Sequence, residues 1–226
     1  MKKRFIYSTV LIIVGLGMVL WGVPMSLFAP QEAPPTTSTT QSDVYNKLNI
    51  TMEKKILMVV AFKDFRDEEY FIPKEILEKA GFSINTTSTK KGIAIGSQGG
   101  EAIAHIEINE IILENYEAVI FCGGSGMANE LDNQIFHKLA KDFYVNNKTV
   151  TAICVAPALL AKAGILEDKK ATVWSSALDK SFIKILEENG AIYEDSPVRI
   201  DNNIITANGP DAAEEFGKAI KELLSR

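Results

Sequence analysis

Residues 149–163 read TVTAICVAPALLAKA, and this stretch decides the fold. Thr149–Ile153 is short, β-branched and apolar, the pattern of a strand buried on both faces. Ala156–Ala163 is rich in alanine and leucine and reads as a helix. Cys154 lies between them. Small residues stand two before it (Ala152) and two after it (Ala156). A nucleophile on a tight strand-to-helix turn requires such neighbours, because the chain reverses too sharply for bulk. A helix starting just after Cys154 aims free N–H groups at the sulfur and favours the thiolate. The competing reading is a buried structural cysteine.

Working outward, the same alternation recurs. Lys55–Ala61 is an apolar strand, and Asp67–Ala80 a helix with acids in its first turn and Gly81 as its stop. Pro73 falls inside that helix and is expected to kink it. Phe82–Thr87 and Ala118–Cys122 are further strands, the latter followed by Gly123-Gly124-Ser125-Gly126. A helix over 133–145, a strand over 171–174, a helix over 180–189, a hairpin near 197–207 and a helix over 211–224 complete the series. Strands alternating with helices imply an α/β fold whose parallel sheet is covered on both faces. In such sheets sites form beyond the carboxyl ends of the strands. Three features fall there: the acidic stretch after Ala61, the glycine loop and Cys154.

The 226 residues carry a net charge of -5. Without residues 1–43, which hold Lys2, Lys3, Arg4, Glu32 and Asp43, 21 bases face 27 acids. An acidic domain without a basic cluster argues against nucleic acid as partner. The two cysteines, Cys122 and Cys154, form no CxxC or Cys/His cluster, so neither a metal site nor a cofactor site is indicated. A Cys122–Cys154 disulfide needs Cα atoms within about 7 Å.

The N-terminus has a separate character. Lys2-Lys3-Arg4 precedes an uncharged run from Phe5 to Val23 that continues weakly to Ala29. Its length suits a transmembrane helix, with the basic end cytoplasmic and the rest of the chain outside. Residues 1–29 are therefore read as a single-pass signal anchor to the cell membrane. The alternative is a cleaved signal peptide and a secreted domain. Residues 30–53, opening PQEAPPTTSTTQS, read as a Pro/Thr/Ser-rich stalk. Sequons at Asn49, Asn85 and Asn147 matter only in a host that glycosylates exported proteins.

The glycine loop lacks the Lys-Ser/Thr ending of a P-loop and full GxGxxG spacing, so its phosphate signal is weak. It can instead lend a backbone N–H to an oxyanion, or be a plain turn. Glu68 and Glu69 open the first helix, where dipole effects alone favour acids. Only a buried acid facing the cysteine is functional.

The pieces KILMVVAF, DEEYFIPKEILEKAG, YEAVIFCGGSG, TAICVAPALLAKAGIL and ANGPDAAEEFGKAI together resemble the superfamily of the Parkinson's-disease deglycase and the PfpI-type intracellular proteases, over residues 54–225. The resemblance implies a flavodoxin-like three-layer sandwich with a cysteine nucleophile elbow at Cys154. It implies that Glu69, four residues before Pro73, hydrogen-bonds the sulfur, and that Gly124 and Val155 lend oxyanion N–H groups. The chain departs from the family in its histidines. Protease-like members carry one directly after the cysteine, where Val155 stands. Deglycase-like members carry one after the elbow helix, where Trp174 or Ser175 aligns. His105 and His137 fit neither place; His137 reads as a surface residue and His105 as structural. The expected function is that of a membrane-anchored PfpI-like protein with a reactive cysteine: a cysteine-dependent hydrolase or glyoxalase/deglycase acting on small carbonyl compounds or adducts. The alternatives are a non-catalytic binding or redox-sensing member of the fold and a PfpI-type peptidase. A homodimer or higher homo-oligomer fits the resemblance.

Overall fold

The computed structural model describes residues 54–226, so the expected membrane helix (1–29) and the expected stalk (30–53) lie outside the described residues. Among the described residues no helix is long and apolar enough to cross a membrane.

The chain runs β1 (Lys55–Val59), β2 (Lys63–Phe65), α1 (Asp67–Lys79), β3 (Ser83–Ser88), β4 (Gly92–Gly96), β5 (Glu101–Ala104), β6 (Ile106–Glu107), β7 (Ala118–Phe121), α2 (Ser125–Ala128), α3 (Gln134–Val145), β8 (Thr149–Ile153), α4 (Ala156–Lys162), β9 (Lys170–Ala171), α5 (Ser181–Glu188), β10 (Ile192–Tyr193), β11 (Val198–Asp201), β12 (Ile204–Ala207) and α6 (Ala213–Leu224). Seven strands form one sheet in the order β11-β12-β8-β7-β1-β3-β6. All its pairings are parallel except β11 with β12.

The apolar runs explain the centre of this sheet. In β7 and β8 every residue is buried, as are four of the five in β1. Helices α1 and α6 pack together, as do α3 with α4 and α4 with α5. β3 is the polar exception, and its buried hydroxyls are all partnered. Tyr70 and Thr86 share a 2.7 Å hydrogen bond, Thr87 donates to the Ile106 carbonyl and Ser88 to that of Val60. Pairing satisfies groups that would otherwise cost about 1–3 kcal/mol each.

Three expectations are corrected, and the helix over 67–79 contains Pro73. Pro73 has no N–H for the Glu69 carbonyl one turn back, and the Cys122 thiol donates to that oxygen instead, at 3.6 Å. The strand expected over 171–174 ends at Ala171. Beyond it the chain leaves its neighbour and bends over the elbow, with Thr172 N–H bonded to Thr206 Oγ1 and Trp174 N–H to the Cys154 carbonyl. His137 is buried, not at the surface, and donates from Nε2 to the Leu131 carbonyl at 2.7 Å. His105 is an exposed residue whose backbone N–H bonds Thr86.

One element had no counterpart in the sequence reading. β2, β4 and β5 form a separate three-stranded sheet beside α1. In β4 and β5 the outward apolar side chains are Ile93, Ile95 and Ile103 and the buried ones Ala94, Ala102 and Ala104, while Phe65 of β2 is buried. In those two strands the larger apolar residues thus face out, which inverts the usual amphipathic sign.

Candidate functional site

Val59, Phe121 and Ala152 stand level in register across β1, β7 and β8, so the three central strands end together. The chain leaves β8 through Cys154, whose φ is +64°. An L-residue held in this region carries strain of about 1–3 kcal/mol. The turn is fixed on both sides. Cys154 N–H donates to Ala207 at the end of β12, and the Cys154 carbonyl accepts from Trp174 N–H at 2.8 Å.

β7 ends in the glycine loop, and here glycine is required by space. A Cβ on Gly123 would lie 2.6 Å from Cys154 Cβ and from Glu69 Oε2. Gly124 has φ +103°, and a Cβ there would lie 2.5 Å from Arg66 N. With the loop this bare, the Gly124 and Val155 backbone N–H groups both reach the Cys154 sulfur. Ser125 opens the short helix α2 and lines the cavity above.

Glu69 comes from the first turn of α1 and is fully buried. Its Oε2 accepts from Gly123 N–H at 2.9 Å. Its Oε1 has no conventional hydrogen-bond partner, and the Glu69 side chain also interacts with the Cys154 thiol. Burial pushes the Glu69 carboxyl up to about 7, against the opposing pull of the thiol, the Gly123 N–H and the Arg66 charge. The Cys154 thiol is pushed up as well, first by burial and next by the Glu69 carboxylate, while the Gly124 and Val155 N–H groups pull it down. The helix-terminus argument for a low thiol pKa therefore loses to desolvation while Glu69 is charged. The two groups are a coupled acid pair, and a proton gained by Glu69 turns a repelling carboxylate into a donor toward sulfur.

The site opens into a cavity of about 470 Å3. Cys154, Glu69, Gly124 and Val155, the four residues picked out by sequence, all line it together. So does Trp174, one of the two residues aligned with the family histidine; Ser175 does not. Neither described histidine lines it. The remaining lining residues are Arg66, Ser97, Ser125, Ala128, Phe182 and Pro210, which sequence reasoning passed over. Arg66 sits three residues before Glu69 and Pro210 within the ANGPD segment, so position alone offered a signal for both; Phe182 offered none. Cys122 is buried beneath the loop as a free thiol, and so is Cys154, with no disulfide between them. Burial raises the Cys122 thiol well above its ordinary value.

A parallel α/β sandwich with a strained cysteine at the end of a central strand, a buried glutamate behind the sulfur and two N–H groups in front defines a cysteine-elbow protein of the flavodoxin-like class. The profile of the DJ-1/PfpI family matches residues 54–223, and the chain belongs to that family. An uncharacterized protein of Methanocaldococcus jannaschii is 41% identical over 173 residues, covering 76% of this chain and 83% of that one. An uncharacterized protein of Archaeoglobus fulgidus is 28% identical over 170 residues and matches along 98% of its own length. Among solved structures, a ThiJ/PfpI domain protein from Brachyspira murdochii superposes with a TM-score of 0.73 at 31% identity, over 77% of this chain and 98% of that one. DJ-1beta of Drosophila melanogaster, at 24% identity and a TM-score of 0.67 over 77% of this chain and 92% of that one, shares the fold.

Proposed function

We propose that this domain uses Cys154 as a nucleophile toward small carbonyl compounds or their adducts, in hydrolase- or glyoxalase-type chemistry. The observation that carries the reading is the Glu69–Cys154 pair beneath the Gly124 and Val155 N–H groups. As sulfur adds to a carbonyl carbon, a C–S bond forms and the carbonyl π pair moves onto oxygen. The Gly124 and Val155 amides are placed to stabilise that oxyanion. Glu69, at about 7, takes the thiol proton and returns it to the oxygen, giving a hemithioacetal with no co-reactant. A carboxyl poised near neutrality suits both halves of that transfer.

The basic end and uncharged run of residues 2–29 support an anchored domain on the outer side of the cell membrane. Peptide hydrolysis is less well served, because the leaving amine needs a protonating group and no described histidine lines the cavity. The same lack favours a second reading, a binding or redox-sensing thiol without turnover. Methylglyoxal consumption by the full-length protein, with Cys154→Ser as control, tests the first reading. Turnover abolished by the substitution is expected. Equal consumption by both proteins would overturn it. No turnover by wild type, with rapid iodoacetamide labelling of Cys154, would favour the second reading.

A further inference from the structure

We propose that the cleft above Cys154 selects uncharged electrophiles carrying a ring-sized apolar substituent, which packs against a wall formed by Trp174 and Phe182. The inference rests on the reading of Cys154 as the nucleophile and adds the class of molecule presented to it.

Trp174 and Phe182 stack edge to face, with ring centroids 5.9 Å apart and planes at 76°. Both are only partly buried, and both line the cavity that holds Cys154. The wall is fixed relative to the sulfur, because Trp174 N–H bonds the Cys154 carbonyl itself. The indole edge lies over Gly209, where a Cβ would approach Trp174 Cδ1 to 3.3 Å. Ala128, Val155 and Pro210 add apolar surface. At about 470 Å3 the space is several times the ~150 Å3 that accommodates a benzene ring. A two- or three-carbon aldehyde would leave most of the aromatic surface wet.

Charge argues the same way. Among the described residues lining the cavity, Arg66 is the cationic one, and its Nε lies 2.8 Å from Glu68 Oε2. Glu68 also accepts from Gln98 Nε2 at 2.6 Å, which holds it in place. Glu69 adds a carboxyl at the floor. An incoming carboxylate or phosphate thus meets a cation already neutralised and an acid beyond it.

The test uses the full-length protein and follows the Cys154 peptide by mass spectrometry. Labelling rates with iodoacetamide, N-benzyliodoacetamide and iodoacetate are each normalised to a free thiol. N-benzyliodoacetamide is expected to react about tenfold faster than iodoacetamide, the gain from partly burying one phenyl ring, and iodoacetate more slowly than either. The benzyl preference should fall to near one in Trp174→Ala and in Phe182→Ala. Equal normalised rates for the benzyl and parent reagents in wild type would overturn the inference while leaving the nucleophile reading intact. If no reagent labels Cys154, the nucleophile reading fails, and binding decides the recognition claim. Fluorine NMR of 4-fluorobenzamide with Cys154→Ser should then show line broadening that is lost on adding Trp174→Ala. Absence of broadening in the single variant would overturn the inference.

Discussion

Replacing Glu69 by glutamine isolates the buried carboxyl in a way that stability alone can read. Glutamine keeps the shape and the acceptor for Gly123 N–H, which now bonds Glu69 Oε2 at 2.9 Å. It removes the titration. The native carboxyl sits at about 7 against an ordinary value of 4.5, chiefly through burial. Between those two values the folded protein holds a proton that the unfolded chain has released. Stability therefore falls as pH rises through that window and is flat on either side of it. A displacement of about two and a half units corresponds to about 3 kcal/mol at 1.36 kcal/mol per unit. Cys154, pushed upward, keeps its proton throughout and adds no slope. Relative to Glu69→Gln, wild type should lose about 3 kcal/mol between pH 4.5 and pH 8. For a domain of this size that is a relative drop in Tm of roughly 6–12 °C. Denaturant unfolding at pH 4.5, 6 and 8 supplies the comparison. Parallel stability profiles for the two proteins would refute the placement of a raised carboxyl at this position.

Three further outcomes follow from the same geometry. Cys154→Gly should be more stable than Cys154→Ala by about 1 kcal/mol, because glycine relieves φ +64° and alanine does not; equal denaturation midpoints would count against strain at the elbow. Gly124→Ala should destabilise by several kcal/mol and slow iodoacetamide labelling of Cys154, since its Cβ would lie 2.5 Å from Arg66 N, and circular dichroism melts with labelling rates check both. Asp67→Asn should cost about 1–3 kcal/mol, because the two Asp67 oxygens accept from Gln98 N–H and Gly100 N–H at 2.8 and 2.7 Å, and faster hydrogen exchange in the 97–100 turn is its signature.

The centre of the fold was legible because its information is local. β1, β7 and β8 are continuous apolar runs, and no other element type at their length fits a buried parallel sheet. Cys154 could be singled out for the same reason, since its small neighbours and the helix start lie within a few residues, whereas Glu69, Gly124 and Val155 were named through the family resemblance. What escaped depends on distant partners. β4 and β5 place alanine inward and isoleucine outward, so periodicity gave the wrong sign or none. His137 looks polar on its own, and only the carbonyl of Leu131 makes it a satisfied buried group. The thiol pKa was misjudged in direction because helix termini can be seen in sequence, whereas the burial that outweighs them cannot. The segment after Ala171 was read as strand because its residues suit one, but its hydrogen bonds go to Thr206 and Cys154.

That last segment has a consequence for how such a site can diversify. Cys154, Gly124 and Glu69 are each locked to strands or helices at the heart of the domain, so altering them disturbs packing. Trp174 lines the cavity that holds Cys154 from a stretch that belongs to no strand and is half open to solvent. A single codon change there can exchange one wall of the cavity while the scaffold stays intact. Residue 174 is thus the cheapest point at which evolution, or an engineer, could redirect the chemistry of this thiol.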